Sequence, residues 1–213
     1  MMLKNEVTFL IDGICDYLTN KIKNKMPDVD EERGEVINYG LHLVIGELPK
    51  NLILLGIAYI LGVFTLTLLA IIAISAYRAC SGGFHLKTHI GCMMATIVLY
   101  IGTVEVSKFV IFGSDLIKYV FVASVWIFSM CMIKLYAPAD TEYVPILRKK
   151  ERKTKKILSY ITMTITLIIG IIITDSIISN IFIFITLAQT ISISRFTYKI
   201  SGCKYGHEVH NLT

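Results

Sequence analysis

The chain has 213 residues, 54% of them hydrophobic and 17% charged, with a mean hydropathy of +0.66. That is far too apolar for a soluble domain of this length and predicts an all-α, polytopic membrane bundle. The formal net charge is +5, but the basic residues stand beside apolar spans and no aromatic-interleaved RNA or DNA motif accompanies them, so the positive-inside effect accounts for the charge and nucleic acid is excluded as a partner.

The amino end, Met1 to Lys25, has several charges and no long apolar core, so it does not read as a cleavable signal peptide. Leu3, Val7, Leu10, Ile14, Leu18 and Ile22 recur at spacings of three and four, which predicts an amphipathic helix over 1–25 lying on the inner leaflet. Pro27 then breaks the pattern, and the acids around Asp28–Glu32 are placed to cap the next helix. Five later runs have spanning length: Leu52–Tyr77, Cys92–Phe112, Leu116–Ile133, Ile157–Thr174 and Ile177–Phe196. Arg148–Lys156 has seven basic residues against one acid, the strongest inside signal in the chain, and Lys21, Lys23 and Lys25 put the amino end inside as well.

Only three clear runs separate those two inside segments, and an odd number cannot return the chain to the same side. Parity therefore predicts a further, partly polar crossing at Val36–Leu48, containing His42 and Glu47 and ending at Pro49. Six crossings of a single membrane-embedded domain then place Arg78–Gly91, a basic loop over 135–156 and the tail with Arg195, Lys199 and Lys204 on the cytoplasmic side. Outer turns fall at Phe112–Asp115 and Asp175-Ser176. The five cysteines, Cys15, Cys80, Cys92, Cys131 and Cys203, are odd in number and scattered through these segments, which argues against a disulfide framework.

Chemistry concentrates in Arg78-Ala-Cys-Ser-Gly-Gly-Phe-His-Leu-Lys-Thr-His-Ile-Gly-Cys92. If Cys92 opens a helix, first-turn amides and the macrodipole favour its thiolate, and His85 or His89 is close enough in sequence to take the proton. A continuous helix would hold His85 and Cys92 roughly 10 Å apart, so pairing them requires a break between them. Gly82, Gly83 and Gly91 permit such a bend, and exposed amides there could form an oxyanion site. His89, three residues before Cys92, is the neighbour if the helix starts earlier.

Arg78 is placed either to anchor its helix end or to bind a peptide carboxylate. The spacings of His85 with His89 and of His207 with His210 lack the features of a zinc motif, so neither a metal nor any other cofactor is implied. Glu105 is nearly 20 Å along a helix from Cys92 and is expected to pair with Lys108. Asp140 and Glu142 could orient His85 only if the loop Tyr136–Pro145 folds back onto it. The basic run, with Lys149 and Lys150 at its start, reads as a topology anchor and lipid-headgroup contact.

Arg78, Gly82-Gly83, His85 and, seven residues on, Cys92 resemble the signature of the accessory gene regulator protein B (AgrB) family, integral-membrane peptidases of Gram-positive quorum sensing. A second block, Tyr136-Ala-Pro-Ala-Asp-Thr-Glu-Tyr-Val-Pro-Ile146, is similar to the stretch this family carries before its basic loop, and length and layout extend the resemblance over roughly the whole chain. The resemblance implies Cys92 as nucleophile and His85, rather than His89, as base. It implies an AgrD-like propeptide cleaved on its carboxyl side through a thioester, then closed into a thiolactone or lactone, at the cytoplasmic face of the cell membrane. Arg78, Gly82, Gly83, Lys149 and Lys150 would support the site, the two lysines by docking an acidic substrate tail. Membrane lipids and a second copy of the chain, as a homodimer, are the other implied partners. The alternative from another class is a peptide exporter without covalent chemistry, with His42 and Glu47 lining its pathway.

Overall fold

The computed structural model describes residues 2–26, 30–84, 86, 89–141, 146 and 148–209. They form two compact units, Met1–Ile57 and Ala58–Thr213. The first holds α1 (Met2–Lys25) and most of α2 (Glu31–Ile60). Asp30 caps α2, its carboxylate accepting the amide of Arg33 at 2.8 Å, so one of the acids after Pro27 does what the sequence suggests. Within this unit the Asn38 amide donates to Asp16 at 2.7 Å and Lys23 pairs with Glu31 at 2.7 Å.

α2 corrects the expected boundary. The sequence reading ends a short crossing, Val36–Leu48, at Pro49 and opens a new run at Leu52, whereas the helix passes unbroken through Pro49. An interior proline costs a backbone hydrogen bond and some bending, but it does not compel a stop. The break lies instead at Gly62, whose φ of +71° is a conformation that glycine reaches without strain. There the Gly62 amide bonds the Tyr59 carbonyl and the Val63 amide bonds the Ala58 carbonyl. Two helices, α2 and α3, lie between Lys25 and Arg78, and of these only α3 is, among the described residues, long and apolar enough to cross a membrane. The side chains of His42 and Glu47 lie outside the described residues.

The second unit continues with α3 (Phe64–Ser81), α4 (His89–Phe109), α5 (Asp115–Tyr136), α6 (Lys149–Ile172), α7 (Ser176–Ser192), α8 (Arg195–Ser201) and the single turn α9 (Gly206–Val209). Among the described residues, α3, α4, α5 and α6 are long and apolar enough to cross a membrane. α7 and α8, bent by 67° at their junction, add a fifth span if taken together, and Leu48–Ile60 is a shorter apolar stretch. The outer helices expose apolar side chains such as Ile72, Val98, Val120 and Ile165. Water would not tolerate so much contiguous apolar surface, and lipid favours it. The protein is an all-helical, multi-pass membrane protein.

α7 is the central element, packed against α3, α4, α5 and α6. Asp175 caps its amino end by accepting the Ile178 amide at 2.8 Å. Gly170 of α6 lets α7 approach closely, since a Cβ there would lie 2.9 Å from that of Phe182. The basic run expected in a loop is helical from Lys149, because lysine, arginine and glutamate are good helix formers whatever their hydropathy.

Candidate functional site

α3 ends at Ser81, where Gly82 takes φ +74° and ψ −155° while its amide still bonds the Arg78 carbonyl. The chain then meets the segment that follows α5. Gly82 pairs in a parallel bridge with Ala139; the Ala139 amide donates to the Ser81 carbonyl at 2.8 Å and the Gly83 amide to the Ala139 carbonyl at 3.2 Å. A Cβ on Gly82 would strike the carbonyl oxygen of Ala139, so backbone conformation and space both demand glycine. The chain after α5 thus folds back, at Ala139, onto the glycine pair, while His85, onto which the Tyr136–Pro145 loop would have to fold for Asp140 or Glu142 to orient it, lies outside the described residues. Glu142 lies outside the described residues.

α7 reaches the same point from the bundle interior. The Gln189 side chain is fully buried; its Nε2 donates to the Gly82 carbonyl at 2.7 Å and to Ser81 Oγ at 3.0 Å, and its Oε1 accepts from Arg78 Nη1 at 3.0 Å. Gly83 is buried among these groups. A Cβ there would be 3.3 Å from Ser192 Oγ and 3.5 Å from Arg78 Nη1. Arg78, Gly82 and Gly83 are therefore brought together by a residue that the sequence did not single out. The next residue of α7, Thr190, bonds the Tyr77 hydroxyl at 3.1 Å and the Ser129 hydroxyl at 2.8 Å, tying α3, α5 and α7 into one buried polar layer.

Beyond Ala139, Asp140 anchors the tail. Its side chain is fully buried and its Oδ1 lies 2.6 Å from His207 Nδ1, while Oδ2 accepts the Ile146 amide at 3.1 Å. Arg152 Nη1 is also 3.1 Å from Oδ2, but out of line for a hydrogen bond, so this pairing is Coulombic. A buried carboxylate demands such company. The Tyr198 hydroxyl donates to the Ala139 carbonyl at 2.9 Å, and its ring stacks on Tyr205 at 4.1 Å between centroids. Burial, with Tyr136 close by, pushes the Tyr205 phenol above its ordinary range, so it remains a neutral donor to the Ile193 carbonyl. His207, weighed in the sequence only for metal spacing, is a hydrogen-bond partner of Asp140.

α4 begins at His89, so Cys92 lies in its first turn, half-buried. The helical break that a His85–Cys92 pair requires is present between Ser81 and His89. His85 itself lies outside the described residues. His89 is helical and one turn before Cys92. Lys149 and Lys150 are exposed in the first turn of α6, and Glu105 bonds Lys108 at 2.9 Å as expected.

Fold and site together define a polytopic helical membrane protein with a glycine-broken segment pinned at one end of its bundle. The sequence profile described as Accessory gene regulator B matches residues 15–193. An AgrB-like protein of Clostridium acetobutylicum is 28% identical over 173 residues, covering 79% of this chain and 78% of its own. One from Listeria monocytogenes is 26% identical over 197 residues, covering 92% of each chain, and a second AgrB-like protein of Clostridium perfringens is 25% identical over 166 residues, covering 76% and 77%. No solved structure matches. The chain belongs to the accessory gene regulator B family, and with it to the processing of quorum-sensing peptides, with an AgrD-like propeptide as substrate.

Proposed function

We propose that the protein is a membrane cysteine endopeptidase that cleaves an AgrD-like propeptide on its carboxyl side and promotes closure of the remaining peptide into a ring. The observation that carries this reading is the division of the His85–Cys92 segment between a non-helical stretch after Ser81 and the first turn of α4. The segment is therefore not the single continuous helix that would hold His85 and Cys92 roughly 10 Å apart. Cys92 Sγ attacks the scissile carbonyl and its proton passes to His85; the C–N bond then breaks and His85 returns the proton to the leaving amine. The acyl group remains on Cys92 as a thioester. A cysteine or serine within the same propeptide displaces it, forming a thiolactone or lactone and restoring the Cys92 thiol.

Arg78, Gly82 and Gly83 shape the entry to the site, while Lys149 and Lys150 receive an acidic substrate tail. The active segment faces the cytoplasm, where a newly made peptide arrives, and the enzyme acts as a homodimer in contact with lipid. Mixing the purified enzyme in lipid nanodiscs with propeptide should add the mass of the amino-terminal acyl fragment at Cys92, removable by hydroxylamine. Cys92→Ala should show neither adduct nor cleavage, whereas Cys15, Cys80, Cys131 and Cys203→Ala retain both. A loss of less than several orders of magnitude in Cys92→Ala would sink the mechanism. Absence of any adduct on wild type would favour a carrier.

A further inference from the structure

We propose that Gln189 is a positioning residue for this reaction, holding from the centre of α7 the Gly82 carbonyl and the Arg78 guanidinium and so fixing the direction in which the chain leaves α3 toward His85. The inference rests on the cysteine–histidine reading. A carboxamide buried in an apolar helix is costly unless its polar atoms are bonded. All three partners of Gln189 belong to the end of α3: Gly82 O, Ser81 Oγ and Arg78 Nη1. The amide can adopt only one orientation here. Flipped, it would set its NH2 against the Arg78 donor and its oxygen against the Gly82 carbonyl, two repulsive contacts in place of two bonds.

The geometry suits guidance of a loop better than simple filling of the core. Gly83 has no Cβ where Arg78, Gln189 and Ser192 converge, so the backbone lies against the anchoring groups themselves. The anchor stands on the most thoroughly packed helix of the bundle, and a site held by a rigid element keeps its geometry better than one held by a loop alone. His85 follows two residues after Gly83, with no room in sequence for intervening structure. Gln189 touches no reacting atom and acts through Gly82 and Arg78.

Two replacements separate this role from packing. Gln189→Met keeps length and removes every bond; Gln189→Glu keeps shape and the Arg78 contact but turns a carboxylate toward the Gly82 carbonyl. In nanodiscs, with rates expressed per folded enzyme, both should lower kcat for propeptide cleavage by about 10- to 100-fold, with KM within about twofold. Hydrogen exchange should quicken at amides 83–91 but not in α5 or α6. The pH profile of Cys92 alkylation by iodoacetamide should move toward that of His85→Ala. Wild-type kcat in both variants while His85→Ala is inactive would overturn the proposal and leave the cysteine–histidine reading intact. Full activity in His85→Ala would instead remove that reading. A loss that vanishes once rates are normalised to folded enzyme, or failure of both variants to fold, would make Gln189 a packing residue and overturn the proposal.

Discussion

Asn180 and Gln189 are carboxamides on one helix, both buried, and each spends its NH2 group on two acceptors outside α7. Asn180 donates to the carbonyls of Ser107 and Val110 at 3.1 and 2.8 Å, where α4 ends and those carbonyls lack helical partners. Gln189 donates instead to a residue with positive φ in a segment that belongs to no helix, and it also receives a cation. The same chemistry thus closes a regular end on one side of the bundle and holds an irregular one on the other. What distinguishes them is the conformation of the acceptor: a helix end would stay helical without its cap, whereas the Gly82 turn, with its positive φ, is held among the described residues by Ala139 and by Gln189 of α7.

The largest effect should fall on the irregular end. His85→Gln is expected to lose cleavage and thioester formation by several orders of magnitude, because an amide can hold a hydrogen bond but cannot accept the proton. His89→Ala should retain most of its rate. Rates of propeptide cleavage by the two variants decide the matter. If His89→Ala were inactive and His85→Gln active, the base would sit on α4, one turn from Cys92, and the Gln189 end would be as purely structural as the Asn180 end.

Much of this comparison could be read in the sequence, and its missing parts have physical causes. Apolar runs locate α4, α5, α7 and the end of α6 to within a few residues because lipid imposes a length and a polarity on each span, whereas α6 starts eight residues before its apolar run. Pro49 misleads about the boundary of α2, since a long helix can absorb one lost hydrogen bond and the weaker-looking Gly62 is where φ turns positive. The glycine break before Cys92 is legible because no side chain can follow it. The return of Ala139 onto Gly82 could be stated only as a condition, since spacing holds no record of tertiary contact. Gln189 lies 107 residues from Gly82, inside an apolar run. One signal could have found it: an amide amid lipid-length hydrophobic sequence needs a partner of its own.

A smaller effect separates the two ends through glycine. Gly82→Ala should cost about 1–3 kcal/mol in strained backbone, more if the Ala139 carbonyl cannot retreat, and should reduce cleavage by about 10- to 100-fold. Gly113, in the turn after α4 at the Asn180 end, has nothing within 4 Å of its would-be Cβ. Gly113→Ala should leave activity and melting temperature near wild type. Thermal unfolding and cleavage assays on both variants test this, and equal losses would mean that the two ends are equally strained.

The smallest effect belongs to Asn180. Asn180→Ala removes two donated bonds and leaves two carbonyls to find other partners near the end of α4. An orphaned buried carbonyl costs about 1–3 kcal/mol in general, but side-chain bonds between membrane helices average only about 0.6 kcal/mol, because the unfolded chain in lipid also finds partners. A loss of about 1–2 kcal/mol follows, lowering the melting temperature by roughly 2–8 °C with kcat per folded enzyme unchanged. Asn180→Asp should lose more than Asn180→Ala, since it presents a carboxylate to the same two carbonyls. A fall in kcat as deep as that of the Gln189 variants, at unchanged stability, would break the contrast. It would mean that α4 transmits the state of its far end to Cys92 in its first turn, and that α7 positions the site from both of its carboxamides.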